Sequence, residues 1–332
     1  MSQVSSIKNS IYFDTNIYDW IATKQEALGM HELLKSRKLS LYISNENLIE
    51  VIAEGNKLKR QKEVEFIVSL KPKLELKPQS YLHAMELLKE IKRLKRNWLS
   101  ILPRTTMVKF FLATHPNLWD SLKNGDIPSK AITHEFARDV EVGINKSRSD
   151  QKAFKEISNK TKKKSGELKF VTSSGKELDA NPASPEDYWR MEAASVWRSA
   201  LLEHNPASRD YNDWLSPYLR INAFRDPGYT DFWLKEVNSD NLPLNRFVGL
   251  VSFFQTKFKI SHGNALDQIH GGNFLLYDHF VTADVGFSSV LSEANYCLTK
   301  PTAFPILLKR ANGGVLDELS KALNENALEK QE

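Results

Sequence analysis

Apolar positions in the first 55 residues follow two rhythms. "SIYF" at Ser10–Phe13 is a short β-prone run, and "TNIYDWIATKQEAL" behind it spaces its apolar residues three and four apart, as one helix face requires. "MHELLKSRK" predicts a second short helix, "LSLYIS" a second strand, and "NENLIEVIAEG" a helix ending at Gly55. Strand, helices, strand, helix in that order predicts a parallel sheet with crossover helices.

From Asn56 to Pro243 the pattern is long, charged and mostly helical, with clear examples at Glu63–Leu70, Tyr81–Trp98 and Pro185–His204. Trp189, Trp197, Trp214, Tyr218, Tyr229, Phe232 and Trp233 crowd its second half, and aromatics at such spacing usually pack together as a core. Ser147–Ala183 is polar, lysine-rich and broken by Gly and Ser, the composition of a flexible loop. After Leu244 the alternation of strand and helix rhythms resumes. "NRFVGLVSFFQTKF" and "GNALDQIHGGNFLLY" predict helices, "HFVTAD" a strand, and "VGFSSVLSEANYC" a final helix. The chain therefore divides into an N-terminal half-domain (1–55), a helical insertion (56–244), a C-terminal half-domain (245–315) and a tail (316–332). The fold class expected is α/β, a sheet domain interrupted by helices.

Composition narrows this picture. The 332 residues suffice for two modest domains or one with a large insertion, and 41% apolar content permits a substantial core. No run of eighteen apolar residues exists to span a membrane, and "MSQVSSIKNS" lacks an apolar signal segment. A single cysteine, Cys297, rules out an internal disulfide and a cysteine-based zinc cluster. These points predict a cytoplasmic protein with no membrane partner. The net charge of +5 is mild. Its distribution matters more, because lysines concentrate in Lys146–Lys176 and in "KEIKRLKRNW" at Lys89–Trp98. Either stretch alone reads as a solvated face; both together admit a polyanionic partner.

Acidic residues then change the reading. Two predicted strands end on aspartates, Asp14 and Asp284, and in a parallel sheet both ends share one edge. Each also suits a plain helix cap. On "SNENLIEVIAEG", Leu48, Ile49, Ile52 and Ala53 make the expected packed face, with Glu46, Glu50 and Glu54 one turn apart beside it. Asp267 lies early in a later helix, where the macrodipole alone favours a carboxylate. Four converging carboxylates repel one another unless a cation offsets them, and an all-oxygen set suits Mg²⁺ or Mn²⁺.

The ordered motifs "YFDTNIY", "ISNENLIEV" and "NALDQIHGGNFLLYDHFVTADVGF" resemble the PIN-domain family of metal-dependent nucleases. The family's aspartate at the end of the first strand, often followed by Thr-Asn, matches Asp14, Thr15 and Asn16. Its helix glutamate, about six residues past a serine or threonine, matches Glu50 after Ser44. Its aspartate opening a late helix matches Asp267, and its "VTxD" strand end, the most specific element, matches the run through Asp284. Asp278 matches a further aspartate of many bacterial members, although a cap or turn role suits it equally. The resemblance covers about a third of the chain, residues 8–55 and 245–310, and does not extend to the insertion.

That resemblance implies a three-layer α/β/α sandwich and Mg²⁺- or Mn²⁺-dependent hydrolysis of phosphodiester bonds, of RNA rather than DNA. Asp14, Glu50, Asp267 and Asp284 would then be both the catalytic and the metal-coordinating residues, with Asn16, Thr282 and Asp278 in support and Glu46 or Glu54 replacing Glu50 if the helix register differs. The biological setting would be a toxin–antitoxin pair, phage defence or RNA processing, with a homodimer or regulatory partner. Aromatics and lysines of the insertion would offer stacking and phosphate contacts to single-stranded substrate. A DNA nuclease is the alternative enzyme; a non-catalytic nucleic-acid-binding module is the alternative class. His270, one turn after Asp267, reads as a packed residue before a catalytic one, His262 and His279 more so, and Cys297 reads as a buried structural thiol.

Overall fold

The computed structural model describes residues 7–24, 26–53, 56–75, 77–114, 116–126, scattered positions within 141–156, and 168–171, 177–180, 184–202, 209–220, 223–225, 228–258, 264–302, 305–309 and 313–329. β1 (Ile7–Phe13) leads into α1 (Thr15–Lys24) and α2 (Ala27–Ser36), then β2 (Ser40–Ile43), α3 (Asn45–Ala53), α4 (Lys57–Ser69) and β3 (Lys73–Leu74). Far later come β6 (Tyr277–Thr282) and β7 (Ile306–Leu307). Together they form a central five-stranded sheet in the order β3-β2-β1-β6-β7, every pairing parallel. The N-terminal pattern is thus a parallel sheet with crossover helices, as its periodicity predicts.

Alternation along β1 assigns the two layers. Ile11 and Phe13 point into one core with Leu41, Ile43 and Val281, covered by α1, α3 and α4. Tyr12, between them, points into the opposite core with Tyr277 and Phe280. The result is an α/β/α layered fold with a helical insertion.

Two boundaries differ from the sequence pattern. The sheet domain extends past residue 55: α4 and β3 belong to it, and so does α7 (Asn117–Lys123), whose Trp119 and Leu122 pack in the first core. At the other end, the described part of the expected tail, 316–329, packs against the sheet domain. Val315, Leu319 and Leu323, four apart on the long helix Val315–Glu329, are buried in that same core. The buried apolar residues of these segments are few among charged ones, so their packing has a weak signal in the sequence.

Between α4 and β6 lies the insertion. α5 (Gln79–Leu94) and α6 (Thr105–Thr114) precede α7; the strands β4 (Leu168–Val171) and β5 (Glu177–Ala180) follow as an antiparallel pair. That pair falls inside the stretch expected to be a loop, since Leu168, Phe170 and Val171 alternate weakly enough to be lost among lysines. The remainder of 147–183 lies almost entirely outside the described residues. α8 (Pro185–Leu202) and α9 (Arg209–Leu215) then close an aromatic core of Trp98, Trp189, Trp197, Trp233, Phe232 and Tyr229. Trp189 donates Nε1–H to the Asn245 carbonyl at 2.9 Å, and Trp197 donates to Asn245 Oδ1 at 3.1 Å. These rings are buried, so they are a core and present no stacking surface to nucleic acid.

α10 (Pro243–Gln255) joins insertion to sheet. Its Gly249 is required by close approach, because a Cβ there would stand 2.3 Å from Trp189 Cδ1. The buried Glu86 carboxylate accepts from the amides of Leu244 at 3.1 Å and Asn245 at 3.2 Å, satisfying the free N–H groups of this helix start. Burial raises its pKa to about 7, against the hydrogen bonds that lower it. Helices α11 (Asn264–Asn273) and α12 (Val285–Tyr296) complete the second layer. Among the described residues no helix is long and apolar enough to cross a membrane.

Candidate functional site

Parallel pairing of β1 with β6 places Phe13 opposite Val281, and Asp14 N–H donates to the Val281 carbonyl at 2.9 Å. Both strands therefore end at one edge, and the polar residues after them interlock. The buried Asp14 carboxylate accepts through Oδ2 from Thr282 Oγ1 at 2.7 Å and from Asn16 Nδ2 at 2.5 Å. Asn16 Oδ1 accepts from the Ala283 amide at 3.0 Å, while Thr282 Oγ1 accepts from the Asp284 amide at 3.0 Å. Asp284 is the N-cap of α12, accepting through Oδ1 from Phe287 N–H at 2.8 Å, and remains exposed. Capping and site placement are thus compatible at this position. Asp14 itself is turned toward Thr282 and Asn16.

A second network approaches from α3 and α11. His270 Nε2 lies 3.0 Å from Glu50 Oε1, and His270 Nδ1 lies 2.8 Å from the Tyr12 hydroxyl, which lies 2.8 Å from Ser44 Oγ. Tyr12, Ser44 and His270 are all buried. Asn47 donates from Nδ2 to the Phe13 carbonyl at 3.2 Å and to Thr15 Oγ1 at 3.0 Å, tying the start of α3 to the end of β1. The buried face of α3 is Asn47, Leu48, Val51 and Ile52. It is rotated from the expected one because Asn47 finds internal partners. This register places Glu50 in the site. Glu46 lies close enough to act on Tyr12, Glu75 and His270 through its charge. Glu54 lies outside the described residues.

Asp14, Asp284 and Glu50 each act on Asp267 through their charge. The Asp267 carboxyl is pushed up to about 8, first by burial, then by the charges of Asp14, Asp284 and Glu50, with His270 opposing. Burial also raises Asp14, against His270 and the Thr282 hydrogen bond. At Glu50 burial is outweighed by His270, as charge and as hydrogen-bond donor, and by Thr15, so its carboxyl falls below the ordinary value. At His270 the Glu50 carboxylate, then Asp14 and Glu46, outweigh burial and hold the imidazole up at about 9. The acidic edge thus favours the protonated form of the histidine.

Among the described residues no three of His, Cys, Asp and Glu form a ready cage for a metal ion. The donor set is nevertheless all hard oxygen with excess negative charge. That fits a cation such as Mg²⁺, which takes one or two carboxylates and keeps its waters.

Comparison with protein-family models, with curated proteins and with solved structures finds no match for the chain.

Of the residues expected at the site, Asp14, Asn16, Glu50, Asp267, Thr282 and Asp284 come together. Asp278 does not. It stands four residues before Thr282 on β6, about 13 Å along the strand, where its Oδ2 accepts from the amide of Asn9 at a register shift in β1. His262 is outside the described residues; His279 is half-buried on β6, and Cys297 is half-buried just past α12. Tyr12 and Asn47 went unmarked in the sequence. Tyr12 looked like a strand apolar residue, but the "S-x-x-N" at Ser44–Asn47 is a legible helix-start signal.

Proposed function

We propose that the chain is a metal-dependent nuclease of PIN type, cleaving RNA at the carboxyl edge of the sheet. What supports this reading is the parallel strand pairing that brings Asp14 and Asp284 to one edge, with Asp267 near enough to feel both charges. Mg²⁺ or Mn²⁺ held by Asp14 and Asp267, with Asp284 at the open side, would supply Lewis acidity toward a scissile phosphate and activate water. Thr282 and Asn16 fix the Asp14 carboxylate, since both donate to the same Oδ2. Glu50 is already held by His270 and Thr15, and it contributes charge to the edge from the α3 side. His270 keeps the cluster from carrying its full negative charge before a cation arrives.

Two observations favour a second reading. Because His270 neutralises Glu50 and no three-residue cage stands ready among the described residues, the edge also suits a non-catalytic acidic pocket with its own counter-charge. Cleavage of end-labelled single-stranded RNA and DNA in Mn²⁺, Mg²⁺ or EDTA, beside Asp14→Asn protein, separates these. RNA products that need metal and Asp14 are expected. DNA products alone would transfer the assignment to a DNA nuclease, and silence together with no Mn²⁺-induced rise in melting temperature would favour the pocket.

A further inference from the structure

The most exposed large apolar residues among those described are not near the acidic edge. Ile101 and Leu102, adjacent at a loop tip in the insertion, are 84% and 83% exposed. The tip is braced: Ser100 N–H donates to the Tyr218 carbonyl at 2.9 Å and Arg104 N–H to the Pro217 carbonyl at 2.9 Å, so both ends are pinned to one neighbouring segment. α6 follows at once, and it is odd for a helix of its composition. Of its ten residues, Met107, Val108, Phe110, Phe111, Leu112 and Ala113 are apolar, yet Val108 alone is buried. Met107 and Phe110, three apart, face solvent with the tip. An apolar helix of this kind is normally covered.

Along the chain here the charge has one sign. Between Glu90 and Asp120 the chain contains six lysines and arginines and no acid. Arg96, Arg104 and Lys109 are exposed there, and Arg220 joins them from the bracing segment, its Nε donating to the Leu99 carbonyl at 3.0 Å. Among the described residues none of these four makes an ion pair.

We infer that this surface docks on an anionic lipid bilayer, with Ile101 and Leu102 entering the interface, Met107 and Phe110 lying along it and the four cations meeting acidic headgroups. A braced aliphatic tip ringed by cations suits a soft apolar phase under a negative surface. RNA is disfavoured as the occupant because Ile101 and Leu102 offer neither a ring to stack nor a group to hydrogen-bond. No helix need cross the membrane for this contact. The inference is independent of the nuclease reading.

Sedimentation of the full chain with vesicles tests it, using phosphatidylcholine alone and an equal mixture with phosphatidylglycerol. Partition into the mixture is expected to exceed that into phosphatidylcholine by about tenfold or more, and to weaken with added salt. The double substitution Ile101→Ser with Leu102→Ser should lower it about tenfold, and Arg104→Gln about fivefold. All three positions are exposed, so the variants should melt with the parent chain. The lysine-rich stretch 146–176 is unchanged in them, so any binding it contributes cannot imitate loss at the tip. No partition into the mixture, or equal partition of the double variant, overturns the inference. So does an oligouridylate or self-association that is lost in the double variant while vesicles go unbound.

Discussion

The acidic edge and the aromatic core of the insertion are built on opposite principles. In the insertion, Trp98, Trp189, Trp197 and Trp233 are buried, and Trp189 and Trp197 converge on one residue, Asn245. Burial there works with the side chains. At the edge, burial works against them: Asp14 and Asp267 are carboxylates held where water is scarce and like charges are close. The contrast teaches where stability resides and where it has been given up. A region assembled for stability should lose it on truncation; one assembled for chemistry should gain it when a charge is removed.

The largest effect belongs to the core. Trp189→Ala should lower unfolding free energy by about 3–5 kcal/mol in urea denaturation, because the ring fills the space over Gly249. A loss below about 1 kcal/mol would mean this core is not what holds the insertion together. Next comes the link between the regions' two styles. His270→Leu strips Glu50 and Tyr12 of a buried partner and should cost about 3 kcal/mol, while His270→Gln, retaining a donor, should cost visibly less. Equal losses would show that packing, not hydrogen bonding, is what His270 provides.

Asp14→Asn sharpens the comparison from the other side. Metal-dependent cleavage should fall by about 100-fold or more, equivalent to about 2.7 kcal/mol at the transition state, with a melting temperature equal to or above the parent's. An inactive variant that also melts much lower would place Asp14 among structural residues. The smallest effect concerns pH. A carboxyl raised to about 8 in the fold disfavours the folded state increasingly as pH climbs from about 4 toward 8. An imidazole raised to about 9 contributes stability fully below about 6.5 and loses it as pH rises through 9. Both therefore make the chain less stable on the alkaline side. Asp267→Asn should raise stability by about 1 kcal/mol at pH 8.5 and little at pH 5; a gain independent of pH would remove the electrostatic explanation.

The same contrast accounts for how much of the molecule is legible in its sequence. Strand ends, helix periods and the "DTN" and "VTAD" runs are local patterns, so the sheet and the placing of Asp14 and Asp284 at one edge of it can be read directly. The partnership of Tyr12 with His270 is a distant side-chain contact that no period records, and Tyr12 is indistinguishable by pattern from its apolar neighbours. Asp278 misleads for the converse reason: proximity in sequence to Thr282 puts it at the wrong end of the same strand. The insertion's tryptophans, with Tyr229 and Phe232, are a core, as their spacing predicts, and so are withdrawn from any stacking platform.

The bond from Thr282 to Asp14 spans 268 residues. A ribosome must therefore add everything up to β6 before β1 can pair with it, and the nascent polypeptide carries an incomplete edge throughout that time. Such long sequence separation slows folding, and it also means that a truncated translation product ending anywhere before β6 lacks Asp267's partner Asp284. Only a chain extended through Asp284 can assemble the acidic edge, so synthesis past β6 is itself the first control on whatever that edge does.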